Sequence, residues 1–397
     1  CSSSYFSKQF KRATSVSPSA YRKILKETVR NSDVLQHASD QDLVLYSKLP
    51  HIHFLDVDVH GFGPSDAARH SQVVLPSEEF GFLHEAAIVA FHGVLFAAWY
   101  NCKRLELQGR TPVRFARSFD GGKTWTDAAT VADDPEGNIL YCPPAFGICD
   151  DTLYLFINEM VKPDHIHALN LYVYDEKSCT FSLLWSKPIP FKLNTNAYPL
   201  PGGKWMLPGR LGKLDGFPTT PALMISDLGK LDTDWRMVSM QADGRLPDGA
   251  NLVFPELSAI VNGETVYMFS RNDERSIPLV YISADCGETW TLYAHDIPFS
   301  SSKIYSGTLR DGRHYVVGNL YPDRSKLAIF FSESNEVKFT KGIVLQDGFS
   351  EQFGYGGGWH YPCAYESDGK LYVIYTANIH STIRRGAVVS VIDLENI

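Results

Sequence analysis

Two copies of one eight-residue phrase, "SFDGGKTW" at residues 118–125 and "SADCGETW" at residues 283–290, share the pattern Ser-x-Asp-x-Gly-x-Thr-Trp. In each copy the Asp carboxylate can accept hydrogen bonds from the backbone N–H groups of a tight turn, and the Gly can adopt a positive φ there. The Trp then anchors the next strand in a core. The phrase therefore predicts a turn between two strands, and we expect Asp120 and Asp285 to be structural.

Degraded copies of the phrase lie between and after the two good ones: "VYDEKSCTF", "ISDLGKLDTDW" and "FSESNEVKF". The closing aromatic residues are Trp125, Phe181, Trp235, Trp290 and Phe339, spaced by 56, 54, 55 and 49 residues. A period near 50 residues with about four strands per unit is typical of a β-propeller blade. Five marked blades and a last one at about residues 355 to 395 predict an all-β, six-bladed β-propeller. The strand-like "DLVLYSKL" at 42–49 either closes the ring or belongs to a seventh blade.

The composition agrees with many short strands, because aromatic residues make up 13% of the 397 residues and the chain has 30 Gly and 22 Pro. The formal net charge of −8 argues against a nucleic-acid partner. The seven cysteines are scattered without a CxxC pair, which argues against a zinc site or a dense disulfide scaffold. We expect a monomer with no metal and no cofactor.

The N-terminal segment opens with "CSSSYF" and resembles a bacterial lipoprotein after signal cleavage, in which the first Cys carries the lipid. The alternative is a sequence that begins at a Cys by chance. We expect residues 1–40 to form a tether and a short helix, and residues 41–397 to form the propeller domain. A lipid on Cys1 would be the only membrane contact, and would place the protein in the bacterial cell envelope, periplasmic or on the cell surface.

The repeated phrase resembles the Asp box of the sialidase-like propellers, and the order of further motifs extends the resemblance over roughly residues 80 to 395. Asp boxes lie away from the active site and occur in many propellers that are not sialidases. Fold and function are therefore separate questions, and the function has to be argued from other residues.

Bacterial sialidases hold the sugar carboxylate with three arginines, and use a Tyr nucleophile with a neighbouring Glu and an Asp as acid/base. A guanidinium matches a carboxylate bidentately, and a neutral Tyr avoids setting an anion against an anionic substrate. The resemblance implies these roles for Glu256 and Arg271 in "FPELSAIVNGETVYMFSRND", Arg324 in "NLYPDRSKLAIFFSES" and Tyr361 in "GGWHYPCAYESDGKLYVIYT".

The first blade departs from the family pattern. In "GFLHEAAIV", His84 and Glu85 stand where the family has its first arginine, and the nearest counterpart of the acid/base Asp is Glu106. The triad is therefore incomplete: either another arginine substitutes, or the substrate is a different acidic sugar. The weaker candidates for substrate binding are Arg210, Asn272, Lys303 and Tyr305.

These residues predict an exo-acting glycoside hydrolase of the sialidase superfamily that acts on a terminal acidic sugar of an oligosaccharide or polysaccharide. Arg271 and Arg324 would hold the carboxylate, while Tyr361 attacks or stabilises the anomeric centre. Glu256 would take the Tyr proton, and His84 or Glu106 would protonate the leaving oxygen. A second resemblance, to uronic-acid lyases and rhamnosyl-glucuronate-cleaving propellers, implies a uronic-acid-directed enzyme that uses His84. The third alternative is a non-catalytic glycan-binding surface lipoprotein.

Overall fold

The computed structural model describes residues 38–59, 66–212, 219–241, 243–348, 355–381 and 383–397. Within these ranges the chain forms six sheets of four or five strands, each antiparallel between its consecutive strands. The six-bladed propeller predicted from the repeat is therefore confirmed. Sequence neighbours pair with each other in every sheet, so each blade is one meander that buries its faces against the adjacent blades.

The first three blades run from residue 82 to residue 239. The innermost strand of the third blade is split into two short strands that both pair with the next strand. The first blade has β3 (Phe82–Phe91), β4 (Val94–Cys102), β5 (Val113–Ser118) and β6 (Ala129–Ala132). The second has β7 (Leu140–Cys149), β8 (Thr152–Lys162), β9 (His165–Asp175) and β10 (Thr180–Lys187). The third has β11 (Phe191–Leu193), β12 (Tyr198–Leu200), β13 (Lys204–Leu211), β14 (Pro221–Ser226) and β15 (Arg236–Ser239).

The last three blades complete the ring and use two strands from before residue 82, β1 (His51–Ile52) and β2 (Ala68–Val74). Strand β1 pairs in parallel with the outer strand of the fourth blade. The other strands are β16 (Leu257–Asn262), β17 (Thr265–Ser270), β18 (Leu279–Ser283), β19 (Thr291–His295); β20 (Tyr305–Thr308), β21 (His314–Asn319), β22 (Lys326–Ser332), β23 (Phe339–Asp347); β24 (Tyr355–Ser367), β25 (Lys370–Ser381) and β26 (Arg384–Asp393).

Ring closure differs from the sequence expectation. Strand β2 pairs antiparallel with β26, so a strand from before the first blade forms the outer edge of the last one. The segment 42–49 is not a strand, because a helix, α1 (Asp40–Tyr46), covers most of it. The Ser39 side chain accepts a bond from the Asp42 N–H and the Asp42 carboxylate accepts one from the Ser39 N–H, a capping box that starts this helix. Leu45 and Leu49 then pack in a small cluster at the fourth blade.

The two Asp boxes form the predicted turns. Asp120 accepts hydrogen bonds from the Lys123 N–H at 3.0 Å and from the Thr124 N–H at 2.9 Å. Asp285 accepts the equivalent bonds from Glu288 and Thr289. Hydrogen bonds from the Thr124 and Thr289 hydroxyls, together with these backbone bonds, lower the pKa of the two carboxyls to about 2. Each box begins where the third strand of its blade, β5 or β18, ends. Both boxes therefore lie at the end of the propeller where the third strands finish.

The lipoprotein prediction falls on residues outside the described ranges. Within the described ranges we find no helical segment with the length and hydropathy of a membrane span.

Candidate active site

A cavity of about 410 Å³ opens at the end of the propeller where the innermost strands begin and the second strands end. All six blades contribute to the cavity. Five of them do so through residues in or next to their first or second strand, and the fifth through Arg324 in the connection between β21 and β22. The lining residues are His84, Glu85, Glu106, Leu107, Pro163, Asp164, Lys192, Arg210, Phe254, Glu256, Arg271, Arg324, Tyr361 and Arg385. Seven of the ten residues predicted from the sequence are among them.

Strained backbone is concentrated at the cavity. Six lining residues without a glycine's freedom have positive φ: Glu85 (48°), Leu107 (55°), Asp164 (63°), Phe254 (51°), Arg324 (60°) and Tyr361 (54°). Two of them lie in β-bulges, since the register shifts between His84 and Ala87 in β3 and between His360 and Cys363 in β24. A bulge re-aims the side chain that it carries, and such strain is held only where the surrounding structure enforces it.

The predicted nucleophile Tyr361 is 8% exposed, and its hydroxyl oxygen accepts a hydrogen bond from Arg271 Nη1 at 2.7 Å. Burial and the nearby Glu256 carboxylate raise the pKa of the phenol well above its ordinary value, while Arg271 opposes this shift. The phenol is therefore neutral in the free protein and needs a base to become nucleophilic.

Arg271 joins the phenol to two carboxylates. Its Nη1 also donates to Glu256 Oε2 at 2.8 Å, and its Nε and Nη2 donate to the two oxygens of Asp273 at 2.7 and 2.6 Å. Burial pushes the pKa of Glu256 up, but Arg271, Arg210 and Lys303 outweigh it and hold this pKa below the ordinary value. Because four of its five N–H groups have partners among the described residues, Arg271 has at most one left for a substrate.

His84 lies against the nucleophile, with 4.1 Å between the centroids of the His84 and Tyr361 rings. It is 1% exposed, and its Nδ1 lies 3.3 Å from Thr376 Oγ1. Burial, assisted by Arg385, His360, Arg324 and Lys303, lowers the pKa of His84 well below 6.5. The imidazole is therefore neutral at neutral pH.

Glu106 lies across the first blade and accepts a hydrogen bond from the Tyr100 hydroxyl at 2.9 Å. The side chain keeps contact with solvent in the cavity, but the protein on either side of it partly desolvates the carboxyl. This desolvation, together with the Glu85 carboxylate, raises the pKa of Glu106 above its ordinary value. The raised pKa favours the protonated form of Glu106 more than that of an ordinary carboxyl, which suits a general acid.

Two arginines face the cavity from the last two blades. Arg324 Nη1 lies 2.8 Å from His360 Nδ1, and the Arg324 guanidinium is 5.5 Å from the centre of the Tyr361 ring. Arg385 was not predicted from the sequence; it stands on β26, and its guanidinium packs 4.6 Å from the centre of the Phe82 ring. Arg110, which follows Glu106 by four residues in the sequence, does not line the cavity and is paired with Asp133 and Glu79.

The opposite wall comes from the second and third blades. Asp164 Oδ1 accepts hydrogen bonds from Lys192 at 2.7 Å and from Arg210 at 3.1 Å, so two buried cations share one carboxylate oxygen. Arg210 was predicted, whereas Asp164 and Lys192 were missed. Phe254, also missed, is 43% exposed and presents its ring beside the guanidinium groups of Arg210 and Arg271.

Three predicted residues do not line the cavity. Lys303 is buried and donates to Glu85 Oε2 at 2.9 Å, so it holds the lining residue Glu85 in place without lining the cavity itself. Asn272 turns away because its side chain bonds the Arg275 carbonyl and the Glu274 N–H in a local turn. Tyr305 is 4% exposed, and it packs in the hydrophobic core of the propeller.

No group of three or more His, Cys, Asp or Glu side chains within the described residues is arranged to hold a metal ion.

Comparison with known proteins supports the fold. The family model of the BNR repeat-like domain matches residues 93–373. No curated protein sequence matches the chain. Among solved structures, a protein of unknown function from Dyadobacter fermentans has a TM-score of 0.65 at 15% identity, with 83% of this chain and 100% of that chain covered.

Two sialidases are also similar in structure. The Hadza microbial sialidase Hz136 has a TM-score of 0.63 at 14% identity and covers 79% of this chain and 66% of its own. The intramolecular trans-sialidase from Ruminococcus gnavus has a TM-score of 0.59 at 12% identity and covers 82% of this chain and 97% of its own. At these identities the likeness concerns the fold, which is that of the sialidase-like propellers.

Proposed function

The chain belongs to the BNR repeat-like family of sialidase-like propellers, and on that basis we propose that it is an exo-acting glycoside hydrolase that cleaves a terminal acidic sugar from a glycan. The observation that carries the proposal is the contact of the Tyr361 hydroxyl with Arg271 Nη1 at 2.7 Å, on a guanidinium that also binds Glu256 at 2.8 Å. This assembly faces a cavity that also presents Arg324 and Arg385.

In the first step the Tyr361 oxygen attacks the anomeric carbon and forms a C–O bond, while the glycosidic C–O bond breaks. Glu256 takes the phenolic proton, for which it is suited because the neighbouring cations keep it ionised. Arg271 stabilises the charge that develops on the phenolic oxygen, since it already donates to that atom. The raised pKa of Tyr361 keeps the nucleophile neutral until the substrate is in place.

The leaving oxygen needs a proton, and Glu106 supplies it in this proposal. The neutral His84 holds only a weakly acidic N–H, because its imidazolium form is suppressed by burial and four nearby basic side chains. Glu106 has a raised pKa and is oriented by Tyr100. In the second step water attacks the anomeric carbon and gives a proton to Glu106, the C–O bond to Tyr361 breaks, and Glu256 returns the phenolic proton to the Tyr361 oxygen as the sugar is released.

The substrate carboxylate is assigned to Arg324 and Arg385, since Arg271 is largely occupied by protein carboxylates. Arg385 then takes the place of the arginine that the first blade lacks. Arg324 leans over the Tyr361 ring and Arg385 over Phe82 at the start of β3, where the family arginine would stand. The guanidinium groups of both residues border the same cavity as the nucleophile.

The test is release of the fluorophore from 4-methylumbelliferyl N-acetylneuraminide and 4-methylumbelliferyl glucuronide. Tyr361→Phe removes the nucleophilic oxygen and should lower kcat by a factor of about 10³ or more. Tyr365→Phe on the same strand is the control, since Tyr365 does not line the cavity. Undiminished turnover by Tyr361→Phe would contradict the mechanism, and a wild type inactive on every acidic glycoside would favour a glycan-binding protein.

β-Elimination from a uronic acid is the second candidate, favoured by the contact between the neutral His84 ring and Tyr361. An unprotonated imidazole can abstract the C5 proton while an arginine neutralises the uronate carboxylate. Ultraviolet absorbance separates the two reactions, because a lyase acting on a polyuronide creates an unsaturated uronate and a hydrolase does not. His84→Gln should abolish that absorbance if elimination is the reaction.

A further inference from the structure

The Arg324 guanidinium is oriented by an imidazole in place of a carboxylate. Its Nη1 lies 2.8 Å from His360 Nδ1, and within the described ranges no Asp or Glu makes an ion pair with it. Arg271, by comparison, makes ion pairs with Glu256 and Asp273. We propose that Asn378 and His360 form a positioning relay that fixes the Arg324 guanidinium without neutralising it, so that its charge is kept for an anionic ligand.

The hydrogen-bond chemistry determines the protonation of His360. An arginine donates only, so His360 Nδ1 has to be the acceptor and carries no proton. The proton therefore stands on Nε2, which donates to Asn378 Oδ1 at 3.1 Å. An amide oxygen accepts this bond without adding a charge, whereas a carboxylate would favour the imidazolium. The Asn side chain thus selects the neutral tautomer that Arg324 requires.

The backbone of the last blade makes room for this contact. A Cβ atom on Gly358 would lie within 2.6 Å of His360 Nε2 and even closer to Asn378 Nδ2. His360 and Asn378 stand on the adjacent strands β24 and β25, which bulge after His360 and again after Asn378. A larger residue at position 358 would displace the ends of both side chains, so the glycine makes room for the imidazole and the amide to meet.

The groups around His360 keep the relay neutral. Arg324 faces it from the β21–β22 connection, Arg385 from β26 and the neutral His84 ring from β3, at 5.8 Å between the His ring centroids. Burial and the two arginines lower the pKa of His360 well below 6.5. Protonation of His360 would remove the acceptor at Nδ1 and place a third positive charge beside Arg324 and Arg385.

The relay deepens the proposed function and rests on it. It sets the affinity of the site for the substrate carboxylate and the pH range over which the carboxylate binds. The test uses calorimetric binding of N-acetylneuraminic acid and of D-glucuronic acid, each compared with its uncharged methyl ester. Three variants are measured between about pH 5 and pH 8, a range centred on the ordinary His pKa of about 6.5. They are Asn378→Asp, His360→Leu and His360→Asn.

Asn378→Asp is close to isosteric, and its carboxylate should raise the His360 pKa. Affinity for the acid that the wild type binds should then fall about tenfold or more toward the acidic end, while the wild type holds its affinity to lower pH. His360→Leu should weaken acid binding about tenfold or more at every pH, and His360→Asn, whose amide oxygen can replace Nδ1, should restore most of it. Binding of the esters should not change.

A wild-type pH profile in Asn378→Asp, or wild-type acid affinity in folded His360→Leu, would overturn the relay. So would a wild type that prefers neither acid over its ester. Failure of the proposed hydrolase function is read separately, because it shows as absent fluorophore release from a protein that still binds one of the acids. A relay confirmed by binding alone would then belong to a glycan-binding protein or a lyase.

Discussion

Replacing Arg324 by Gln should separate charge recognition from shape recognition in the cavity. The Arg324 guanidinium stands beside the Tyr361 ring with a neutral imidazole as its partner, so its loss leaves no carboxylate of the described residues unpaired. At about 4 Å and an effective dielectric constant of about 20, one arginine–carboxylate pair is worth about 4 kcal/mol. Because Arg324 is only half-buried, we expect about 2–4 kcal/mol, the lower part of the range of about 2–5 kcal/mol for losing one partner of a fully desolvated charge pair.

This free energy corresponds to a loss of about 30- to 900-fold in affinity for an acidic sugar. The assay is calorimetric titration with N-acetylneuraminic acid and with its methyl ester, and the ester should bind the variant as it binds the wild type. Arg310→Gln is the matched control, since Arg310 lies exposed after β20 on the same blade. Equal loss for acid and ester would show that Arg324 acts by packing, and no loss for either would refute its role in binding.

Three further predictions concern stability and the N-terminus. Asp120→Ala and Asp285→Ala should each lower the free energy of unfolding by about 1–3 kcal/mol, because the hydrogen-bond donors in the box turn lose their acceptor. Activity per folded molecule should survive. Unchanged stability together with lost turnover would contradict the structural role. His84 and His295 are buried with lowered pKa values, about 3 for His295, so the unfolded chain binds protons that the folded chain does not. Stability should therefore be full above about pH 6.5 and fall below it by about 1.4 kcal/mol per pH unit for each histidine, and urea denaturation with the same midpoint at pH 7 and pH 5 would contradict this. A fatty-acid analogue fed to a bacterial host should label the full-length wild type and not Cys1→Ala, and equal labelling would exclude the lipid.

The fold was predictable because its information is local and repeated. Each Asp box specifies one turn, and the aromatic residue after it packs into the core, as Trp125 and Trp290 do. Ring closure was not predictable from the same signal, because the closing strand β2 carries no box. The helix at Asp40–Tyr46 did have a sequence signal, since Ser39 and Asp42 have the spacing of a capping box, but its short apolar run equally fits a strand.

The residues of the candidate site could be predicted where they follow the order of the family's motifs. They could not be predicted where strand register alone decides which side chain reaches the cavity. Glu256, Arg271, Arg324 and Tyr361 follow the order of the sialidase motifs, and all four line one cavity. Arg385 follows Arg384 directly, and the local sequence does not indicate which of the two arginines reaches the cavity. Pairing of Arg385 with Asn378 across β25 and β26 decides which of the two arginines reaches the cavity.

Lys192 shows a signal that could have been used. It stands between Phe191 and Leu193, and an ionisable side chain in such an apolar strand is rarely buried without a partner. That reasoning predicts an acidic partner, and Asp164 from the preceding blade is that partner at 2.7 Å.

The backbone strain at the cavity has no counterpart in the sequence, because none of the six residues with positive φ is a glycine. A Tyr or Arg in this conformation costs about 1–3 kcal/mol, and it persists only where neighbouring hydrogen bonds enforce it. At Arg324 those bonds are identifiable: its N–H donates to the Tyr321 carbonyl and its carbonyl accepts from the Trp359 N–H. The second bond ties the backbone of Arg324 to the residue before His360, so backbone and imidazole fix the same guanidinium from two sides. An arginine that is fixed twice, and that pairs with no carboxylate in the part of the chain that the structure describes, is arranged to bind an anion from outside the protein.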